Sequence, residues 1–206
     1  MSYADVNGIA LYYDEHGSGQ PLILLHGGYG TGEMFASIMP LLASGRRVIT
    51  VDLQGHGRTA DVDRPLRFQT MGDDIAALIR HLGLTQADVM GYSFGAATAL
   101  RTAIQHPDLV RRLVIVSHPV RRDGWFPQSL AGFDQMGPAF AEAMKQSPIY
   151  EAYTRLAPRA RASVTSACPM PRLAPVTRTA LPSMVMSVPP ARPCSCGFRA
   201  ACLAAH

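Results

Sequence analysis

No cysteine occurs before residue 168 of this 206-residue chain, and no aspartate, glutamate or lysine occurs after Glu151. The first absence confines any thiolate metal site to the C-terminal stretch. There Cys194-Ser195-Cys196 stands without the second cysteine pair or nearby histidine cluster that tetrahedral zinc needs, so no metal is expected. The second absence concentrates positive charge. Residues up to 156 hold thirteen basic and fifteen acidic side chains, net −2, and the six remaining arginines give the tail +6. The whole-chain charge of +4 is therefore no nucleic-acid footprint. The tail also lacks an amphipathic stripe or an ordered basic face, so neither a nucleic-acid nor a membrane partner is expected. No apolar run approaches the ~20 residues of a membrane span. Met1-Ser2-Tyr3-Ala4-Asp5 has no basic segment leading into an apolar stretch, so no signal peptide is read and a cytoplasmic setting is expected.

What is present suits one domain with a buried sheet: 48% hydrophobic and 17% charged residues. Asn7-Gly8 is a tight-turn dipeptide, and Ile9 to Asp14 pairs with the segment before it as an edge hairpin. Pro21 to Leu25 and Arg47 to Asp52 are short apolar strands of the doubly covered kind. Each ends in a glycine-punctuated loop, His26-Gly27-Gly28-Tyr29-Gly30 and Asp52-Leu53-Gln54-Gly55-His56-Gly57-Arg58-Thr59. Phe35 to Leu42 reads as a short helix weakened by Pro40. Thr70 and Asp73 resemble a capping box ahead of Ile75, Leu78, Ile79 and Leu82 at helical spacing, with Gly83 beyond the end. Leu113 to Val116 is a further strand ending at Ser117-His118-Pro119. Strands alternating with helices imply a mostly parallel sheet with helices on both faces, whose functional groups gather at the strands' carboxyl ends.

The chain is organised around Val89-Met90-Gly91-Tyr92-Ser93-Phe94-Gly95-Ala96-Ala97. Gly-x-Ser-x-Gly alone is weak. An apolar strand running in and a small-residue helix running out to Gln105 make it a nucleophile elbow. Ser93 then stands above the strand, and the amide of Phe94 opens a helix whose partial positive charge suits an oxyanion.

These stretches resemble the α/β-hydrolase family, in particular its small esterase, haloperoxidase-like and aminopeptidase-like members. Leu24-Leu25-His26-Gly27-Gly28, the Asp52–Thr59 loop and Gly91-Tyr92-Ser93-Phe94-Gly95 occur in family order and spacing, over roughly residues 5 to 156. The resemblance implies Ser93 as nucleophile, an oxyanion hole made by the Gly28 and Phe94 amides, a small-molecule substrate, and no cofactor. It implies structural roles for His26 and His56. It divides the chain into a hydrolase core over 1–118, the start of a helical lid over 119–156, and a tail over 157–206. Trp125, Phe126, Phe133, Met136, Phe140, Met144 and Tyr150 supply the lid's apolar residues; an ordinary core-facing helix is the alternative.

After Leu156 the family pattern is missing. Eight prolines fall in the last fifty residues, no period of 2 or 3.6 is sustained, and Met184 to Val188 is the one strand-like run. Out-of-frame translation of a GC-rich gene accounts for this composition; a genuine basic tail is the alternative. The family's catalytic Asp and His have no counterparts. His81 and His106 lie near helix ends and are expected to face solvent, and His206 ends the chain. His118, followed by Asp123, is either pocket lining or a substitute base. The expected function is serine hydrolysis of an ester or related acyl bond, impaired by the missing triad partners. The alternative is a truncated, non-catalytic product that binds a small apolar ligand.

Overall fold

The computed structural model describes residues 2–134 and 138–157. The expected irregular tail lies, apart from Ala157, outside these residues. Among the described residues the strands are β1 (Ser2–Val6), β2 (Ile9–His16), β3 (Gln20–Leu25), β4 (Arg46–Val51), β5 (Ala87–Tyr92) and β6 (Val110–Val116). They form one sheet in the order β1-β2-β4-β3-β5-β6, antiparallel at β1/β2 and β2/β4 and parallel elsewhere. The expected mostly parallel sheet is present. Asn7 and Gly8, at φ +48° and +78°, make the tight turn that joins β1 to β2.

The order places β3 between β4 and β5, so the chain leaves β3 toward one side and returns on the other. The crevice at such a reversal opens at the carboxyl ends of the strands. Two helices cover one face: α2 (Phe68–His81) and α3 (Phe94–Gln105). Ile23, Leu25, Ile49, Val51 and Val89 meet Ile75, Leu78, Ile79, Ala97 and Ala99 there. The other face, at Leu22, Leu24 and Val48, packs against Phe35, Met39 and Leu42.

Three local expectations differ from the structure. Phe35–Leu42 is not one helix: a 3-10 turn over Gly32–Phe35 is followed by the single turn α1 (Met39–Leu42), with Pro40 in its first turn, where a missing N–H costs nothing. Thr70 and Asp73 do not cap α2, which starts earlier, at Phe68; Asp73 instead accepts from Gln105 Nε2 (2.6 Å) and His106 Nε2 (2.8 Å). His106 is consequently not solvent-facing but half-buried, joining α2 to α3, whereas His81 is exposed. The C-terminal end of α2 does follow the sequence. Gly83 at φ +67° lets the Gly83 and Leu84 amides reach the Arg80 and Ile79 carbonyls.

One ion pair closes the helix layer onto the loops. Asp74, 1% exposed, receives Arg64 Nη2 at 2.5 Å, Arg64 Nη1 at 3.2 Å and Asn7 Nδ2 at 3.1 Å. Arg64 Nε also reaches Gln54 Oε1 at 2.8 Å, so the loop after β4 is tied to α2. Removing one member leaves a buried charge unpaired. Asp74→Ala is therefore expected to cost about 3–5 kcal/mol in urea unfolding, more than the volume-matched double replacement Arg64→Met with Asp74→Leu. An Asp74→Ala protein within experimental error of wild type would show that the pair carries no such weight.

Candidate active site

Ser93 sits between β5 and α3 at φ +51° and ψ −112°, a conformation that a side chain adopts only under strain of order 1–3 kcal/mol. What enforces it is backbone crowding. A Cβ at Gly91 would lie 2.2 Å from the Gly95 carbonyl oxygen, and one at Gly95 would lie 2.3 Å from that of Leu25. The helix therefore starts directly against the ends of β3 and β5, and only glycine fits at either position. The Ser93 amide donates to the Val116 carbonyl at 2.8 Å, which pins the turn to β6.

β3 lies beside β5, with Leu25 opposite Gly91, so the loop after β3 reaches the elbow. A Cβ built on Gly27 would be 3.7 Å from Ser93 Cβ, and one on Gly28 would be 3.8 Å from Phe94 Cβ. Gly28, Ser93 and Phe94 thus share one edge of the sheet. Neither the Gly28 nor the Phe94 amide has a hydrogen-bond partner among the described residues, whereas Gly27 donates to Met34 Sδ at 3.3 Å. Both amides belong to residues at or beside the half-buried Ser93.

The surrounding polar groups hold loops. His26 is fully buried; its Nδ1 lies 2.8 Å from the Gly27 carbonyl, and its Nε2 accepts from Leu53 N–H at 3.0 Å. That pair of partners selects the neutral ring protonated on Nδ1. Burial, with neighbouring His56 adding to it, lowers its pKa to about 3. His56 is likewise pushed down by burial, with Nδ1 2.9 Å from the Gln54 carbonyl. Asp52, 1% exposed, accepts from the amides of Gly32 (2.8 Å) and Arg58 (3.0 Å), joining the loops after β3 and β4. No group of three or more His, Cys, Asp or Glu placed to hold a metal occurs among the described residues.

The segment after β6 continues as α4 (Pro127–Asp134), α5 (Pro138–Met144) and α6 (Pro148–Leu156). Its anchor is Tyr153, which sequence reading did not single out. Tyr153 is buried, donates its hydroxyl to the Gly55 carbonyl, and packs edge-on against Tyr29 (5.4 Å) and His56 (5.7 Å). Burial pushes its pKa up. Tyr150 is half-buried beside it, but Phe126, counted among the lid's apolar residues, is 77% exposed. Phe133, Met136 and Phe140 are not among the side chains described.

His118 lies next to the elbow strand, two residues past the Val116 carbonyl that binds Ser93. It is half-buried, its ring 5.2 Å from that of Trp125, and burial lowers its pKa against a weak opposing contact from the Pro119 backbone. Its Nδ1 has no hydrogen-bond partner among the described residues, and no hydrogen bond joins it to Ser93. Asp123 does not orient it; that carboxylate is exposed and forked onto Arg121 at 2.7 and 3.0 Å. An open groove of about 520 Å³ lined by Tyr12, Glu33, Asp52 and Arg58 has neither Ser93 nor His118 in its lining.

A family model described as alpha/beta hydrolase fold matches residues 20–188. The chain belongs to the alpha/beta hydrolase family. The match runs to residue 188, beyond Leu156, where the resemblance was expected to stop. Similar to this chain are the sn-1-specific diacylglycerol lipase ABHD11 of Xenopus laevis (34% identical over 140 residues, 66% of this chain and 44% of that protein) and the soluble epoxide hydrolase of Corynebacterium sp. strain C12 (36% over 116 residues, 55% and 40%). It spans less than half the length of both. Among solved structures, an epoxide hydrolase, CorEH, without ligand superposes with a TM-score of 0.67 at 25% identity, covering 81% of this chain and 70% of that one. Among the described residues, no helix is long and apolar enough to cross a membrane.

The buried imidazole has a pH signature. His26 binds a proton in the unfolded chain near its ordinary value of 6.5 but in the folded chain only near 3. Between those values the unfolded state holds more protons, so this group makes stability fall as pH falls through that window. Nitrogen-detected NMR at pH 5 should find His26 neutral, with its proton on Nδ1. A doubly protonated His26 ring at that pH would break the assignment.

Proposed function

We propose that this chain is a serine hydrolase by lineage, built to act on an ester or related acyl bond of a small molecule, and that its turnover is far below that of a complete triad enzyme. The observation that carries this reading is the strained elbow: Ser93 at φ +51° beside the unpaired amides of Gly28 and Phe94. In the proposed reaction Ser93 Oγ gives its proton to solvent water and bonds to the substrate carbonyl carbon, and the departing alkoxide takes a proton back from water. The Gly28 and Phe94 N–H groups hold the resulting oxyanion, and collapse of the adduct expels the alcohol and leaves an acyl-serine for water to cleave. A hydroxyl attacks well only when a base takes its proton and an acid orients that base. Ser93 Oγ has no such partner among the described residues, and the sequence from 157 onward offers only His206 and no carboxylate side chain. The relatives named lipase and epoxide hydrolase accord with a hydrolase of small molecules; they do not select among bonds.

The proposal includes the division of the chain. Residues 1–118 form the core, 119–156 the start of a lid, and 157–206 a tail of out-of-frame character. Tyr153 supports the lid reading, since it fastens α6 over the loops that flank Ser93. A second reading, a non-catalytic binder of a small apolar ligand, is favoured by the partnerless Ser93 hydroxyl and the apolar lid side chains Trp125 and Tyr150.

The experiment is turnover of a nitrophenyl acetate by purified protein, beside Ser93→Ala and His118→Ala. Near-background rates in all three are expected, with at most the ~10³–10⁴-fold acceleration over water that an oxyanion hole and a pocket leave without a triad. Strong turnover lost in Ser93→Ala but kept in His118→Ala would reveal a base elsewhere. Strong turnover lost in both would make His118 the base.

A further inference from the structure

The groove lined by Tyr12 and Arg58 lies apart from Ser93, and two of its buried polar groups are left without partners. Its floor is the sheet. Asp14 stands opposite Thr50 across β2 and β4, and Tyr12 lies two residues before Asp14, so the three share one face. Its wall is the 3-10 turn and α1, which bring Ala36, Met39, Pro40 and Ala43 to the groove. Gly32 seats that wall on the sheet: a Cβ there would lie 2.8 Å from Thr50 Cβ.

The charges of the groove are already answered. Glu33 Oε1 accepts from Arg58 Nη2 at 2.6 Å, and Arg58 Nη1 lies 3.7 Å from Asp52 Oδ2. The same guanidinium sits 4.8 Å over the Tyr12 ring. Asp14 accepts from the Glu15 amide at 3.1 Å and lies 3.7 Å from His16 Nε2. Two hydroxyls are not answered. Tyr12 is 4% exposed and Thr50 5%, yet neither Tyr12 Oη nor Thr50 Oγ1 has a hydrogen-bond partner among the described residues, and neither atom is sealed from the groove. Each can both donate and accept, and hydroxyls this deeply buried are ordinarily paired.

We infer that this groove binds a small neutral polyol of monosaccharide size. Adjacent hydroxyls of the ligand exchange hydrogen bonds with Tyr12 Oη and Thr50 Oγ1, and its C–H face lies along Ala36, Met39, Pro40 and Ala43. The volume of about 520 Å³ falls within the range of small-molecule sites. Because the charges are paired within the groove, an ion finds nothing to neutralise. That argues against an ammonium or carboxylate ligand, and equally against the six arginines of residues 158–206 as its filling. The groove lies over β2 and β4, with β3 and β5 between it and β6, the last strand described.

The test is an amide-detected NMR titration of the full chain with methyl β-D-glucopyranoside, beside n-butylamine and acetate. The glucoside should shift the Glu33, Ala36 and Thr50 amides saturably, with a millimolar Kd, and the two ions should not. Thr50→Val and Tyr12→Phe remove the hydroxyls with little change of shape, and each should weaken the Kd about threefold to tenfold. Nuclear Overhauser contacts from the sugar C–H groups to the Met39 methyl are expected in wild type, a readout that does not depend on the variants folding. Absence of saturable shifts at those amides, which is also the result if residues 158–206 fill the groove, would overturn the inference. So would an unchanged Kd in both variants, or tighter binding of n-butylamine or acetate than of the glucoside.

Discussion

The contact on which the site depends is backbone against backbone. The first turn of α3 presses on the ends of β3 and β5, with the Gly95 carbonyl against Gly91 and the Leu25 carbonyl against Gly95. Side chains at either glycine would push the helix away from the sheet. With the helix seated there, Ser93 has no relaxed conformation available and is held upright by its bond to Val116. The same seating brings the Phe94 amide beside the Gly28 loop. Packing free energy from the helix–sheet core thus sustains a strained residue that could not hold its geometry in isolation.

Around that contact, buried polar groups fix loops rather than perform chemistry. His26 bridges the loops after β3 and β4, Asp52 ties together the amides of Gly32 and Arg58, and the Arg64–Asp74 pair ties the second loop to α2. Each group is satisfied by its partners, and burial keeps both His26 and His56 neutral. Histidines placed in this way cannot act as bases, because the proton they would need to carry is the one that burial disfavours.

The far side is more open. Among the described residues the segment after β6 is anchored by Tyr153, while Phe126 and Ile149 remain exposed. Among the described residues the Gly28 and Phe94 amides are near Ser93, and no hydrogen-bond partner of its hydroxyl is present. Groups local to the elbow are assembled, and those that must arrive from distant sequence are not among the described residues.

That division between local and distant groups also separates what could be read early from what could not. Gly91, Ser93 and Gly95, the two glycine loops, the hairpin turn at Asn7-Gly8 and the end of α2 at Gly83 were legible in the sequence, because short-range sterics and hydrophobic period fix them within a few residues. Long-range contacts decided the rest. Asp73 left the capping role for His106, some thirty residues away. Asp123 turned to Arg121 instead of His118, Phe126 stayed outside, and Tyr153 became the anchor of α6 through a partner almost a hundred residues distant. A side chain's hydrogen-bond partner is set by which elements meet in space, and neither local propensity nor spacing encodes that meeting. The sequence by itself determined the elbow and its strained serine; only the tertiary structure decided which histidines are buried and neutral and which groups come within reach of Ser93.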